Sequence, residues 1–135
     1  MSVYNYPKPG LFNVGSYQTS GEPWLTGSTT LVPGAEDHHQ FPRTAKSVTV
    51  INTDASNDDI RVHFNASSAG NVITGLHFVA LNNLNESISF GVRCREIFIS
   101  APATNAGNAS YTVVAELTNI DGLLMGTLTG SGLTD

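Results

Sequence analysis

Alternating apolar and polar residues dominate the middle of the chain and predict a series of short β-strands, because successive side chains of a strand point to opposite faces. The clearest runs are residues 47–53, 60–64, 76–81 and 111–118, and a weaker run is residues 29–32. The first two runs are joined by a short polar loop, so they are expected to pair as an antiparallel hairpin.

The same alternation predicts which side chains face the core. In the run 60–64, Ile60, Val62 and Phe64 share one face, and they are expected to point inward, with Arg61 and His63 outward. In the run 76–81, one face is expected to carry Leu76, Phe78 and Ala80. In the run 111–118, one face is expected to carry Tyr111, Val113, Ala115 and Leu117.

The stretch ESISFGVRCREIFISA, residues 86–101, contains the longest run of strong strand formers, but its alternation breaks in the middle. Ile88, Phe90 and Val92 have one parity, whereas Ile97 and Ile99 have the other. A single flat strand would expose one of these groups. The chain must therefore re-phase near Cys94, through a bulge, which we favour, or through a corner between sheets. This stretch is expected to be the central bent strand.

About six strands at short spacing, separated by turn signals and without a convincing helix, predict an all-β fold. We expect an antiparallel β-sandwich of jelly-roll or immunoglobulin-like type, formed by residues 28–120. Prolines and glycines interrupt residues 1–27, which are expected to form an extended N-terminal arm. Residues 121–135, rich in Gly, Thr and Leu, are expected to form a C-terminal arm or an added edge strand.

The N-terminal arm carries five large aromatic side chains. This number is unusual for a solvated tail, because large aromatic groups are normally at least partly buried. Two alternatives remain open: they pack on their own domain, or they dock on a neighbouring subunit, where Trp and Tyr are favoured anchors. With two arginines that flank Cys94, they are the candidate interface residues: Tyr4, Tyr6, Phe12, Tyr17, Trp24, Arg93 and Arg95.

Composition narrows the function. The 135 residues suffice for one domain with a real core, and only 13% are charged, about half the usual share. The net charge is -5, and six Lys and Arg are too dispersed to form a nucleic-acid-binding patch. One cysteine allows no intrachain disulfide, and no signal peptide or membrane-spanning stretch is present. We therefore expect a protein made in a reducing cytoplasm, neither secreted nor membrane-bound.

No catalytic constellation stands out. Cys94, His77 and Glu96 could in principle form a nucleophile, base and orienting group, but no sequence signature supports this and a buried structural thiol is the favoured interpretation. Glu96 and Glu116 are the plausible carboxylate pair for glycoside hydrolysis, and Glu96 could equally pair with an arginine. No catalytic or cofactor-binding residue is assigned.

Histidines suggest two metal hypotheses. His38 and His39 follow Glu36 and Asp37, but neighbouring strand residues point to opposite faces, so a solvated loop is the favoured interpretation. His63 and His77 could be neighbours on one sheet face and form a metal site or a pH-sensing pair, although exposed or interface roles are favoured. No metal is assigned.

Several blocks resemble small virion structural proteins of tailed bacteriophages, particularly those of marine cyanobacteria. The blocks occur in order along most of the chain: SYQTSGEPWLTGS (16–28), FPRTAKSVTVINT (41–53), GLHFVALN (75–82), CREIFIS (94–100), YTVVAELTNI (111–120) and LTGSGLTD (128–135). The resemblance implies a non-enzymatic component of the particle, with a capsid decoration or cement protein as first choice and a tail or neck component as second. It transfers no functional residue.

From the arms and this resemblance we expect a virion protein that binds the major capsid protein or another virion protein, as a homo-oligomer and in particular a homotrimer. The competing hypothesis is a carbohydrate-binding module for host adsorption, in which Trp24 and tyrosines stack on sugars. A hydrolase is the third class, and we expect no turnover.

Overall fold

A computed structural model describes residues 9–18 and 21–134, which contain seven antiparallel strands. The strands are β1 (Glu22–Leu31), β2 (Glu36–Asn52), β3 (Ile60–His63), β4 (Val79–Leu81), β5 (Ser87–Phe90), β6 (Cys94–Ser100) and β7 (Ala109–Asp121). A one-turn helix, α1 (Gly15–Gln18), precedes β1, and a 3-10 helix (Gly122–Leu124) follows β7. Within these described residues, no helix is long and apolar enough to cross a membrane.

The 17-residue strand β2 organises the sheet. Its first part pairs with β6, whereas its second part lies between β7 and β5. The pairing register shifts between Gln40 and Ala45, and again before Ser47, so the strand bends over residues 41–46. The bend divides the sheet into two layers, β1-β7-β2-β5 and β2-β6-β3-β4.

The two layers face each other across one core. Tyr111 of β7 pairs with Asn52 at the far end of β2, yet its hydroxyl contacts Asp37 and His39 in the first part of that strand. The first part of β2 therefore lies over the layer formed by the second. This confirms the predicted all-β, sandwich-like fold, and the predicted inward face of β7 is buried, including Val113.

In the stretch 86–101, the change in the parity of the apolar side chains does not come from the bulge that the sequence favoured. The strand ends at Phe90, residues 91–93 are not in a strand, and β6 begins at Cys94. Both β5 and β6 pair with β2, each with a different part of it. The corner alternative is thus correct and the bulge is wrong for this stretch. The central bent strand is β2.

Two further strand predictions are wrong. Residues 60–64 do not form a hairpin with 47–53, because β3 pairs with β6 and β4. Only the last three residues of the run 76–81 form a strand; Leu76 lies in a turn with a positive φ of 60° and is exposed, as is Ala80.

The segments at the two ends of the chain are more structured than arms. Residues 22–27, placed by sequence in the N-terminal arm, form the first part of β1. After β7 the chain forms the 3-10 helix and turns rather than an edge strand within the described residues, and it packs on the domain through Met125 and Leu128. Residues 36–39 belong to β2, so their interpretation as a loop is wrong.

Candidate interaction surface

Strand register places the connecting segments at two opposite ends of the sandwich. One end, here called the bend end, comprises residues 10–18, 41–46, 91–93 and 118–124. Three contacts bring these segments together: Arg93 donates to the Leu11 carbonyl (2.9 Å), Lys46 to the Tyr17 carbonyl (3.4 Å), and Arg43 to the Asn119 carbonyl (3.3 Å).

The other end, here called the loop end, comprises residues 53–59, 82–86 and 101–108. Its segments are joined by hydrogen bonds from Asn52 to the carbonyls of Asp58 and Leu81, and from the Leu84 amide to the Asn57 side chain. The strands of both layers run between this end and the bend end.

A compact turn presents Phe12 at the bend end. The Ser16 hydroxyl is buried and accepts a hydrogen bond from the Gly10 amide (3.2 Å), and the Tyr17 hydroxyl donates to the Leu11 carbonyl (2.7 Å). These bonds fix the backbone on both sides of Phe12, whose side chain is 89% exposed. The Arg93 guanidinium lies 5.3 Å from the centre of its ring, a cation–π arrangement.

Other apolar side chains are exposed at the same end of the sandwich as Phe12. Four more large hydrophobic residues of the bend end are exposed: Val14, Val92, Leu123 and Leu124. Leu123 is 81% exposed and is held by the Asp121 carboxylate, which accepts a hydrogen bond from its amide (3.0 Å). Several exposed apolar groups on backbone-anchored segments at one end of a domain are typical of a binding surface rather than of single scattered residues.

Arg43, Lys46 and Arg93 carry the positive charge of this end, and Arg95 lies beside it. Arg43 and Arg93 donate to backbone carbonyls, as described, and Arg95 donates to the Met125 carbonyl (3.4 Å). Among the described residues, no carboxylate lies within 4.0 Å of any of the three guanidiniums, and Arg95 Nε is buried without a hydrogen-bond partner. Arg43 and Arg93 are exposed, so their charges are open to a carboxylate from outside the domain.

The structure brings some of the predicted interface residues together. Phe12, Tyr17 and Arg93 lie on the bend end, and Arg95 lies beside the segment after β7. Trp24 belongs to β1 instead, and its ring packs edge-on against Phe41 at 5.0 Å and His39 at 6.1 Å. Tyr4 and Tyr6 lie outside the described residues.

Sequence reasoning missed Arg43, Val14 and Val92 as members of this surface. Arg43 reaches it because β2 bends and places it opposite Asp121. No local signal marks that pairing, whereas Leu123 and Leu124 belong to the leucine-rich stretch 121–135 that the sequence set apart from the sandwich.

The groups considered for catalysis have structural contacts. Burial, assisted by the neighbouring Glu96 charge, raises the pKa of Cys94 to about 12, so almost no thiolate is present near neutral pH. The Glu96 carboxylate accepts a hydrogen bond from His38 Nε2 (2.9 Å), and no hydrogen bond among the described residues joins Cys94 to His77. Glu116 lies on β7, along the other edge of β2, with its carboxylate 3.9 Å from Lys46.

A polar network joins the layers between β2 and β7. The Tyr111 hydroxyl donates to the Asp37 carboxylate (2.5 Å) and accepts from His39 Nε2 (2.6 Å), so neutral His39 carries its proton on Nε2. Burial lowers the pKa of His39 below its usual range. Burial, together with the hydrogen bond to Asp37, raises the pKa of Tyr111. These shifts keep both groups neutral and support a structural role.

His63 is buried, which contradicts its predicted outward position. Its Nδ1 donates to the Asn65 carbonyl (2.6 Å), and its Nε2 accepts from the Ser100 hydroxyl (2.8 Å). Burial lowers its pKa. His63 and His77 do line one largely apolar cavity of about 280 Å³. No cluster of His, Cys, Asp or Glu in the described part of the chain is arranged to hold a metal ion.

The sequence matches no known protein family, and no curated protein is significantly similar to it. The function is therefore inferred from the geometry of the bend end. The bend end combines an exposed aromatic ring, exposed aliphatic side chains and guanidiniums that have no carboxylate partner within residues 9–18 and 21–134, a composition that is typical of protein–protein contact sites.

Proposed function

We propose that the protein is a non-enzymatic structural component of a tailed-bacteriophage virion, which binds the particle through its bend end. The observation that carries the proposal is the exposure of Phe12 and Leu123 at one end, together with the Arg93 guanidinium, which has no carboxylate partner among the described residues. Aromatic and Arg side chains dominate the energetics of protein interfaces, so this set supports binding to another protein.

The internal contacts support a structural role. Cys94 is buried with a raised pKa, Glu96 is hydrogen-bonded to His38, and Tyr111 is hydrogen-bonded to Asp37. Each of these groups stabilises the packing of β2 against another strand or layer. A rigid sandwich with one anchored apolar surface suits a protein that is repeated on a lattice, where weak contacts are strengthened by avidity.

Within this proposal, a capsid decoration or cement protein is the first choice. It would contact the major capsid protein and neighbouring copies of itself, as a trimer, and stabilise the shell. A tail or neck component is the second choice. Antibody labelling of intact particles separates the two, because label over the whole shell supports the first and label at one vertex or along the tail supports the second.

Incorporation into particles tests the proposal directly. Particles are purified from host cells that produce the wild-type protein, Phe12→Ala or Leu123→Ala, and the copies per particle are measured by quantitative mass spectrometry. Loss of an interface anchor costs about 2 kcal/mol, which corresponds to roughly 30-fold weaker binding. Leu25→Ala is the matched control, since Leu25 is equally apolar and 68% exposed but lies on β1.

Unchanged incorporation of both bend-end variants contradicts binding through this end. Absence of the wild-type protein from purified particles contradicts the virion proposal as a whole. A truncation test of the N-terminal segment must stop before Glu22, because a deletion of residues 1–27 removes part of β1. Deletion of residues 1–18 is expected to abolish incorporation and leave the sandwich folded.

The carbohydrate-binding alternative depends on Trp24, and its ring is engaged by Phe41 and His39. These contacts leave less of the ring face free for a sugar. A glycan array with the wild-type protein and Trp24→Ala decides between the classes, because specific binding that the variant loses would favour host adsorption over the structural role.

A further inference from the structure

Whereas the bend end carries Arg43, Lys46 and Arg93 together with Asp121, the loop end carries ionisable groups of negative charge alone. Its three segments contain four carboxylates and no Lys, Arg or His: Asp54, Asp58, Asp59 and Glu86. Asp54 and Asp58 are buried, and their carboxylates accept backbone N–H groups of the same loops. Asp59 is partly exposed and Glu86 is exposed, so these two present negative charge at the surface.

The loop end also exposes an apolar side chain, that of Leu84. Leu84 is exposed, and its backbone is fixed because its amide donates to the Asn57 side chain (2.9 Å). Two residues later, the Glu86 carboxylate accepts the amides of Asn82 (2.5 Å) and Asn83 (3.1 Å), which lower the pKa of Glu86. The loop end therefore presents a fixed leucine beside a carboxylate that stays ionised well below neutral pH.

The carboxylates of the bend end do not neutralise its arginines. Glu116 lies 3.9 Å from Lys46, and Asp121 accepts the Leu123 amide. Glu22 is the other acid of this end, and among the described residues it forms no ion pair with any of the three arginines. Among the described residues, the arginines thus have no carboxylate partner and the apolar side chains of the bend end stay exposed, and the loop end offers the complementary pair of features.

We infer that two copies of the chain associate head to tail, with the bend end of one copy on the loop end of the next. Leu84 of the second copy packs beside Phe12 and the 3-10 helix leucines of the first, and the carboxylates of Glu86 and Asp59 face the arginines. The inference rests on the proposed structural role for its biological setting, and it names a second copy of the chain as the partner at the bend end.

The symmetry of such a contact is heterologous, because two different surfaces meet. Repetition then closes into a ring or continues as an open stack. A ring of three would give the homotrimer expected from sequence. An acidic, apolar surface on a different virion protein would satisfy the same arginines, and the test below separates this partner from self-association.

The test measures association of the full-length purified protein by light scattering coupled to size exclusion and by analytical ultracentrifugation. Protein at up to about 1 mM is examined at about 0.02 M and about 0.5 M salt. We expect oligomers at low salt and roughly tenfold or greater weakening at high salt, because exposed charges are screened.

Charge reversal at each end gives the decisive comparison. One variant carries Arg43→Glu and Arg93→Glu, and the other carries Asp59→Lys and Glu86→Lys. Each alone is expected to be monomeric. Mixed together they are expected to associate again, because the wild-type loop end of one variant meets the wild-type bend end of the other and the two reversed ends also carry opposite charges. Leu25→Glu is the control, since it adds a charge on β1 away from both ends and is expected to associate like the wild type.

Thermal unfolding of every variant verifies the fold, and Leu84→Ala with Asp59→Lys replaces the second variant if loss of the Glu86 hydrogen bonds unfolds the loop. A monomeric wild type at low salt overturns the inference, as do reversal variants that associate like the wild type. Monomers in the mixture also overturn it, because they show that the two ends do not meet. Self-association without incorporation into particles would contradict the proposed function alone.

Discussion

The Tyr111 hydroxyl donates a 2.5 Å hydrogen bond to the Asp37 carboxylate, although β7 and the first part of β2 belong to different layers. Tyr111 is 1% exposed and Asp37 is half-buried, so this bond is partly shielded from water. The same hydroxyl accepts from His39, and the three residues fix how β2 returns over the sheet after its bend.

Removal of this hydroxyl is expected to destabilise the fold. Tyr111→Phe leaves the Asp37 carboxylate and His39 Nε2 without a partner in a half-buried site, at a cost of about 2 kcal/mol in the free energy of unfolding. Urea denaturation followed by circular dichroism measures the change. Tyr17→Phe removes a hydroxyl that bonds one carbonyl near the surface, and about 0.5 to 1 kcal/mol is expected there. Equal losses in the two variants would contradict the layer-joining role of Tyr111.

Stability is expected to fall as the pH drops below about 6.5. Burial lowers the pKa of His63 in the folded chain, and its side chain is 0% exposed. Between the lowered pKa and 6.5 the unfolded chain binds more protons, so acid favours unfolding, by at most about 1.4 kcal/mol per pH unit for this histidine.

Urea midpoints measured from pH 7.5 to 5.5 check this dependence. His63→Gln is expected to flatten it, with a residual slope from His39, whose pKa is also lowered by burial. The carboxylate of Glu36, 3.9 Å from His63 Nε2, opposes the effect, and the Arg61 charge adds to it. A wild-type slope that persists in His63→Gln would show that other groups control the dependence.

The amide of Asn52 is expected to be essential for the loop end. It is fully buried, donates to the carbonyls of Asp58 (3.0 Å) and Leu81 (2.9 Å), and accepts the Asp54 amide (2.9 Å). Asn52→Asp keeps the shape but turns a carboxylate oxygen toward two carbonyls, so a loss of about 3 kcal/mol or more is expected.

Asn119→Asp is the matched control for this substitution, because Asn119 is exposed and contributes its backbone carbonyl to the Arg43 contact. Its free energy of unfolding is expected to change by no more than about 0.5 kcal/mol. An Asn52→Asp variant as stable as this control would contradict the anchoring role, and a loss of hydrogen-exchange protection in residues 53–59 would support it.

The sequence predicted correctly those elements in which the side-chain pattern alone determines which face of a strand is buried. Val48 and Val50 share one parity in β2, Val113 shares its parity with Tyr111 and Ala115 in β7, and the three valines are fully buried. One face of each strand is covered by the core, so the period of two specifies the face directly.

Strand pairing was harder to predict, because it depends on contacts distant in sequence. A hairpin is the usual outcome for two neighbouring strands, but β3 crosses to the second layer and pairs with β6. Pro42 and the charged residues 36–39 resemble a loop locally, yet the ladders with β6 and β7 hold them in one long bent strand. The prediction that Leu76 faces the core was wrong because its backbone lies in a turn with a positive φ, and this conformation outweighs the preference of its apolar side chain for burial.

The candidate surface was predictable in its residue types but not in its assembly. An aromatic side chain at position 12 and an arginine at position 93 were recognisable as possible anchors. Their contact depends on the turn held by Ser16 and on the break in strand pairing after Phe90. Neither the turn nor the break has a sequence signature strong enough to place two side chains 81 residues apart against each other.

Cys94 is expected to be inert in the folded protein and reactive after unfolding. Its side chain is buried, and its pKa is raised to about 12 from an ordinary value of 9.0, so at pH 8 the thiolate fraction is about a thousandfold lower than in an unfolded chain. Labelling with a thiol reagent, followed by mass spectrometry, measures the rate in buffer and in concentrated urea. Because native labelling requires local or global opening, Tyr111→Phe is expected to accelerate it, whereas Leu25→Ala is expected to leave it unchanged. Rapid labelling of the native wild type would show that Cys94 is accessible and would reopen a chemical role for the thiol.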